Sequence, residues 1–168
     1  MAVSTIEHNN PISINEARKA IPIIGPTLTM VIKGEPGCGK STLLEMVKQD
    51  VGDDHDGIYV DCPVKDVGDT AMSIPDNDRT KLKQVVSDLF MLDSPKPKII
   101  MLDEFMKTPK LLQTMWTRLM LERCIGDKKL PKGSIVFATS NNSSDGVGDT
   151  MPAHAGNRVC IYNLRKPT

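Results

Sequence analysis

The chain has 168 residues, of which 39% are hydrophobic, and its 21 acidic side chains balance its 21 basic ones. This length suits one domain with one core, and the balanced charge provides no global field toward nucleic acid or an anionic membrane. No apolar run approaches the ~20 residues of a membrane-spanning helix, so we expect no membrane contact. The four cysteines form no CxxC pair, and the N-terminus lacks the regions of a secretory signal. We therefore expect reduced thiols and a cytoplasmic protein.

The first predicted element is a short helix over residues 13–21. Ser13 and Glu16 have the spacing of a capping box, in which each side chain accepts a hydrogen bond from the other residue's backbone N–H. Pro22 is expected to end the helix, because proline cannot donate the next helical hydrogen bond. Residues 1–12 are predicted to be an N-terminal extension, and residues 13–168 to form one core domain.

Segments of strand character then alternate with segments of helical character. The strands are predicted at 27–33, 57–63, 97–105, 133–142 and 158–164. The helices between them are predicted at 40–49, 78–90 and 109–123, the last with Thr108 as its cap and Pro109 as its first residue. The first strand is continuously apolar, as is usual for strands buried on both faces of a parallel sheet. The alternation predicts an α/β protein with a three-layer fold and a five-stranded parallel sheet.

A glycine-rich loop, GEPGCGKST, joins the first of these strands to the next helix. Glycines let successive backbone N–H groups approach phosphate oxygens, and the following helix directs its positive end at the same point. Lys40 is expected to reach the β- and γ-phosphates of a nucleotide, and the Ser41 hydroxyl to ligate Mg²⁺. The residues predicted to bind the nucleotide are Gly34, Glu35, Pro36, Gly37, Cys38, Gly39, Lys40, Ser41 and Thr42.

Two carboxylates lie near the end of the predicted strand at 97–105. Asp103 and Glu104 follow a run of apolar residues and emerge at the carboxyl end of a buried strand, where ligands bind in open α/β sheets. Asp103 is expected to hold Mg²⁺, directly or through water, and Glu104 to accept a proton from the water that attacks the γ-phosphate. This adjacent glutamate favours hydrolysis over passive binding, and the expected cofactors are ATP and Mg²⁺. These residues do not determine whether the nucleotide is ATP or GTP.

Two further polar side chains lie at strand ends. Asn141 closes the strand that ends in ATSN, from where it could orient the attacking water or contact the γ-phosphate. Arg158 opens the last predicted strand. Taken by itself, Arg158 is more simply interpreted as a surface arginine at a strand edge.

From about Ser13 onward, these motifs resemble those of the AAA+ ATPases. The loop matches Walker A, IIMLDE matches Walker B, Asn141 of ATSN matches sensor 1, and NRV resembles the arginine-finger segment. Within AAA+, the stretch DEFMKTPKLLQTMWTRLMLERCIG is similar to the MoxR and dynein-related branch. The loop DGVGDTMPAHAGNR is similar to MoxR-like ATPases encoded by tailed bacteriophages.

This resemblance implies a ring-forming homo-oligomer, a Mg-ATP-driven remodelling motor or chaperone of a bacterial or phage-infected cytoplasm. Asn141 would be sensor 1, and Arg158 would act on the nucleotide of the neighbouring subunit, so both join Glu104 as catalytic candidates. The partner would be a protein client, for example one with a von Willebrand factor A domain. AAA+ modules carry a helical lid after the last core strand. We expect that lid to be absent from this chain, and turnover to be weak.

Other functions stay open on the same residues. LDEF and ATSNN also resemble motifs of superfamily 3 helicases, which would make this a nucleic-acid-dependent ATPase, although the neutral charge balance gives that little support. A small-molecule kinase shares the phosphate loop and would use an aspartate such as Asp61 after the second strand. Hydrolysis accounts better for Glu104, Asn141 and Arg158 together. A nucleotide-gated binding module with little turnover is the fourth alternative.

The segment 107–132 is rich in basic side chains. Its basic residues are Lys107, Lys110, Arg118, Arg123, Lys128, Lys129 and Lys132. The simplest interpretation is a solvated face, and a contact with nucleic acid or a partner is the second.

Overall fold

A computed structural model describes residues 6–142 and 159–166 of the chain. The strands are β1 (Ile6–Ile12), β2 (Thr29–Gly34), β3 (Asp56–Asp61), β4 (Ala71–Pro75), β5 (Leu82–Val86), β6 (Lys98–Asp103), β7 (Cys124–Ile125), β8 (Lys128–Lys129), β9 (Ile135–Asn141) and β10 (Val159–Leu164). The α-helices are α1 (Ile14–Ile24), α2 (Leu43–Val51) and α3 (Lys110–Glu122).

Six strands form one parallel sheet in the order β1–β10–β2–β9–β6–β3. The five strands predicted from the sequence are all in this sheet. One face of the sheet packs on α1 and α2, and the other packs on α3. The predicted three-layer α/β fold is therefore confirmed, with one strand more than expected.

The additional strand is β1, at the edge of the sheet beside β10. Residues 1–12 were predicted as an N-terminal extension, and residues 6–12 of it form this strand. The segment IEHNNPI is mostly polar and contains a proline, so it has neither apolar alternation nor a continuous apolar run. An edge strand needs only one row of ladder hydrogen bonds and tolerates proline, and apolar patterning therefore does not reveal it.

The predicted helix over residues 78–90 is also wrong, because the chain forms the antiparallel hairpin β4–β5 there. The turn is closed by Asp76, whose side chain accepts hydrogen bonds from the backbone N–H and the hydroxyl of Thr80. Arg79 adopts a left-handed conformation within this turn, with φ of 56°. The apolar residues of β5 are spaced at i, i+3 and i+4 as in a helix and do not alternate as in a strand, and the turn chemistry overrides this pattern.

Helix α1 has the predicted capping box. The Ser13 N–H donates to Glu16 Oε2 at 2.6 Å, and the Glu16 N–H donates to Ser13 Oγ at 3.2 Å. Hydrogen bonds from Ser13, together with the Arg165 guanidinium, lower the pKa of Glu16 to about 2. The helix continues through Pro22 to Ile24, so the prediction that Pro22 ends it is wrong. A proline in the last turn costs few helical hydrogen bonds, and the buried Ile21 keeps this turn against the sheet.

Helix α3 lies close to its predicted position, with Pro109 rather than Thr108 at the cap. Trp116 lies buried on its inner side, with its ring centroid 6.3 Å from that of Phe90. The helix ends at Arg123, where the backbone is left-handed with φ of 56°. Helix α3 thus covers one face of the sheet through its large apolar side chains.

Arg123 does not belong to a solvated face. Its Nη1 donates to Thr29 Oγ1 at 2.9 Å, and its Nη2 donates to the Gly25 carbonyl at 2.7 Å. Burial lowers the pKa of its guanidinium to about 10. The side chain therefore ties the end of α3 to the start of β2.

Arg123→Ala is expected to destabilise the fold by about 1–3 kcal/mol, because two acceptors lose their donors in a partly buried place. In a domain of this size, each kcal/mol lowers the melting temperature by roughly 2–4 °C. Thermal unfolding followed by circular dichroism would measure the change. The matched control is Arg118→Ala on the same helix, where the lost ion pair with Glu122 is exposed and is worth about 0.3–0.5 kcal/mol. Equal melting temperatures for the two variants would contradict a structural role of Arg123.

Candidate nucleotide-binding site

The glycine-rich loop connects the end of β2 to the start of α2. Gly37 and Gly39 have φ angles of 83° and 81°, in the left-handed region that other residues avoid. In the part of the chain that the structure describes, and apart from Gly37 and its two chain neighbours, no atom lies within 4 Å of the place where a Cβ on Gly37 would stand. A side chain on Gly37 would thus project into open space, so the left-handed backbone and not a lack of room favours glycine at this position.

Lys40 is enclosed by the loop that it ends. Its Nζ donates to the carbonyls of Gly34 and Glu35, both at 2.8 Å, and only 7% of the residue is exposed. Burial lowers the pKa of its ammonium group. The ammonium group is therefore bound by two neutral carbonyl oxygens of the loop. Negatively charged phosphate oxygens are stronger acceptors and could replace them.

The helix after the loop begins later than predicted. Residues 40–42 form a 3-10 turn, and α2 starts at Leu43. Thr42 Oγ1 donates to the Gly39 carbonyl at 2.7 Å, which closes this turn. Ser41 is exposed, so its hydroxyl is accessible to a ligand at the start of the helix.

The strand register brings the predicted motifs to the same edge of the sheet. In the β2–β9 pair, Gly34 lies opposite Asn141, and in the β3–β6 pair, Asp61 lies opposite Asp103. Because all these strands are parallel, their carboxyl ends meet at this edge, where the loop also begins. The glycine-rich loop, the acidic pair and the asparagine thus lie together at one edge of the sheet.

Asp103 is buried, with 7% of its surface exposed, and it accepts several hydrogen bonds. The Tyr59 hydroxyl donates to Oδ2 at 2.7 Å, and the backbone N–H of Glu104 donates to Oδ1 at 3.1 Å. The Thr139 hydroxyl also donates to Oδ1. Burial raises the pKa of Tyr59, and the hydrogen bond to Asp103 raises it further.

Tyr59 and Thr139 were not predicted as site residues. The signal for Thr139 was present, since it precedes Asn141 by two residues in ATSN and so lies on the same face of β9. Tyr59 lies two residues before Asp61 in β3, so the two side chains are on the same face of the sheet. Asp61 lies opposite Asp103 of β6, so Tyr59 is on the same face as Asp103. That relation needs the register between two strands, which the sequence does not provide.

Glu104 follows Asp103 in a left-handed conformation, with φ of 52°. Its Oε1 accepts a hydrogen bond from Asn141 Nδ2 at 2.8 Å, and its Oε2 forms an ion pair with Lys107 Nζ at 2.5 Å. A glutamate with positive φ is uncommon and such residues concentrate at functional sites. The turn after β6 therefore directs the carboxylate toward Asn141, at the end of the neighbouring strand.

The other predicted site residues divide into two groups. Arg158 lies outside the described residues, so its predicted role has no structural description. Ser41 supplies an exposed hydroxyl and Asp103 a buried carboxylate, and both are oxygen ligands that suit Mg²⁺. Mg²⁺ sites at phosphate-binding loops complete their coordination with phosphate oxygens and water. Among residues 6–142 and 159–166, no three His, Cys, Asp or Glu side chains cluster as a metal site made by the protein alone.

The helices were also compared with the length and the apolar character of a membrane-spanning segment. Within residues 6–142 and 159–166, none of them combines the length and the apolar character that a bilayer crossing requires.

Comparisons with family models, curated proteins and solved structures show what the chain is similar to. The sequence profile of the viral superfamily 1 RNA helicase core domain matches residues 30–129, more than half of the chain, which includes the phosphate loop and the acidic pair. No curated protein matches the chain. The chain is similar to a solved structure from Cytophaga hutchinsonii, a protein described as an ATPase by inference. The TM-score is 0.58 and the sequence identity is 18%. The match covers 90% of this chain and 46% of that one, so this chain spans about half of that protein, and the likeness concerns the fold alone.

Proposed function

The chain belongs to the viral superfamily 1 RNA helicase core family, and from this premise we propose that it binds and hydrolyses Mg-ATP at the phosphate loop. It is a P-loop NTPase in family and fold. The observation that carries the proposal is the hydrogen bond of 2.8 Å between Asn141 Nδ2 and Glu104 Oε1. Since Asn141 pairs with Gly34 across the sheet, this bond holds a carboxylate beside the loop that would present the γ-phosphate.

Each side chain of the site has a distinct chemical task in this proposal. Lys40 leaves its two carbonyl partners for the β- and γ-phosphate oxygens, whose negative charge makes them better acceptors. Glu104 takes a proton from the attacking water as the bond from the water oxygen to the γ-phosphorus forms and ADP leaves. Asn141 orients the Glu104 carboxylate. Ser41 and Asp103 would hold Mg²⁺, which when bound neutralises charge on the phosphates.

The direct test is phosphate release from purified protein with ATP or GTP as the substrate. We expect release that depends on both protein and Mg²⁺ and that stops when EDTA is added. The same assay ranks the two nucleotides. The proposal fails if a labelled nucleotide binds with Mg²⁺ present and no phosphate appears over hours, because the chain would then be a binding module.

Nucleic acid is the coupling partner that the family membership favours. The segment 107–132 supplies exposed ammonium groups for phosphate contacts, on Lys110, Lys128, Lys129 and Lys132. Single-stranded RNA should then stimulate phosphate release, and the stimulation should weaken as salt rises, because phosphate contacts release counterions.

A ring-forming remodelling motor is the second candidate, and the resemblance of the motifs to MoxR-like AAA+ proteins favours it. Its partners would be further copies of this chain and a protein client, such as one with a von Willebrand factor A domain. In that case RNA leaves the rate of phosphate release unchanged, and activity rises with protein concentration as the subunits assemble. RNA stimulation and concentration dependence therefore separate the two candidates.

The ring candidate gives Arg158 a role at the nucleotide of a neighbouring subunit. Arg158→Ala subunits keep Glu104, and Glu104→Gln subunits keep Arg158, so a mixed interface rebuilds one complete site. We expect two inactive variants to regain partial phosphate release when they are mixed. Phosphate release by Arg158→Ala at the wild-type rate, or a mixture that associates by light scattering and stays inactive, would exclude this role in trans.

A further inference from the structure

The carboxylate of Asp103 is supported by more donors than a surface carboxylate usually has. Oδ1 accepts from the Thr139 hydroxyl and the Glu104 N–H, and Oδ2 accepts from the Tyr59 hydroxyl. A carboxylate offers about four acceptor positions, so the three donors within residues 6–142 and 159–166 leave roughly one. The remaining position suits a single contact with a metal ion or with water bound to it. A bidentate contact would have to displace a donor.

Tyr59 differs from the other two donors in where it comes from. Thr139 and Glu104 lie in segments that the sequence already connects to nucleotide chemistry, whereas Tyr59 is in the middle of β3. Tyr59 is 45% exposed to solvent, whereas Asp103 is only 7% exposed. The hydroxyl of a partly exposed tyrosine therefore donates to an oxygen of a buried carboxylate.

We infer that Tyr59 is a positioning residue for the metal-binding carboxylate, and that its hydroxyl fixes the orientation in which Asp103 meets Mg²⁺ or Mg²⁺-bound water. Tyr59 has this role only if the chain binds Mg-ATP as proposed above. Hydrogen-bond partners of metal ligands commonly change metal affinity by about 10–100-fold when they are removed. Tyr59 is a single neutral donor, so we expect a change near the lower end of that range.

The test is Tyr59→Phe, which removes the hydroxyl and keeps the ring. Mn²⁺ replaces Mg²⁺, and its binding to the complex of protein with a non-hydrolysable ATP analogue is measured by electron paramagnetic resonance. We expect the dissociation constant for Mn²⁺ to rise about 10-fold. A fluorescent ATP analogue in EDTA should bind the variant and the wild type equally. Tyr162→Phe, at the other tyrosine of the chain, is the control and should bind Mn²⁺ like the wild type.

Each other outcome separates this role from the proposed function. If Tyr59→Phe binds Mn²⁺ as the wild type does, or if Tyr162→Phe weakens it equally, the positioning role is wrong and nucleotide binding stands. If Tyr59→Phe loses the nucleotide in EDTA as well, the hydroxyl supports the fold and not the carboxylate. If the wild type binds no nucleotide at all, the proposed function fails and the role of Tyr59 fails with it.

Discussion

Replacing Glu104 with glutamine should lower ATP hydrolysis about 10²–10⁴-fold and leave ATP binding intact, because an amide cannot take the proton of the attacking water. The glutamine oxygen can still accept the hydrogen bond from Asn141 that Glu104 Oε1 accepts at 2.8 Å. Among the contacts that the structure describes, the ion pair with Lys107 is lost, and the Lys107 side chain is 54% exposed and can turn to solvent. The variant therefore isolates the chemistry of the base from the geometry of the site.

Phosphate release in single turnover and calorimetric titration with a non-hydrolysable ATP analogue would measure the two effects separately. The matched control is Glu122→Gln, an exposed residue whose partner is Arg118 on the same helix. It should hydrolyse ATP at the wild-type rate. If Glu104→Gln also released phosphate at that rate, another group would be the base, or water would transfer its proton directly to the phosphate.

The central part of the fold could be predicted from the sequence because its signals are local. The apolar strands and the glycine-rich loop each lie within about ten residues, and alternation of strands and helices dictates a parallel sheet. The capping box of α1 was predicted on the same basis. These elements are confirmed in place and in order.

The elements that were not predicted depend on interactions that no local pattern encodes. Strand β1 is polar and is held through its backbone pairing with β10, which is distant in sequence. In the β4–β5 hairpin, the apolar residues of β5 have helical spacing, and the side chain of Asp76 closes the turn that makes this segment a hairpin instead. Arg123 looks like a surface cation in the sequence, and its burial depends on the carbonyl of Gly25 and the hydroxyl of Thr29.

The candidate site shows the same division. Asp103, Glu104 and Asn141 were predicted because each follows an apolar strand, and the register of β2, β9 and β6 brings them to one edge. Tyr59 was missed because its relation to Asp103 exists only across the β3–β6 pair. A sequence therefore reveals which residues end a strand, whereas their supporting donors require the alignment of neighbouring strands.

Lys40→Ala should lower ATP affinity by roughly 10²–10⁴-fold. In the proposed complex, its ammonium group makes two charge-assisted contacts with phosphate oxygens, each worth about 1.5–3 kcal/mol. Their sum of about 3–6 kcal/mol corresponds to that range, since each 1.4 kcal/mol is a factor of about ten. The fold should persist, because Lys40 Nζ contacts the carbonyls of Gly34 and Glu35 within a loop where water can replace it.

Calorimetric titration with Mg-ATP measures the affinity, and thermal unfolding without nucleotide verifies the fold. Lys48→Ala, on α2 beyond the loop, is the matched control and should bind ATP like the wild type. Added nucleotide should raise the melting temperature of the wild type and the control but not of Lys40→Ala, because only a ligand that binds the folded state stabilises it. Equal affinities for Lys40→Ala and the wild type would show that phosphate is held elsewhere, since an ammonium group enclosed by carbonyls could then be only structural.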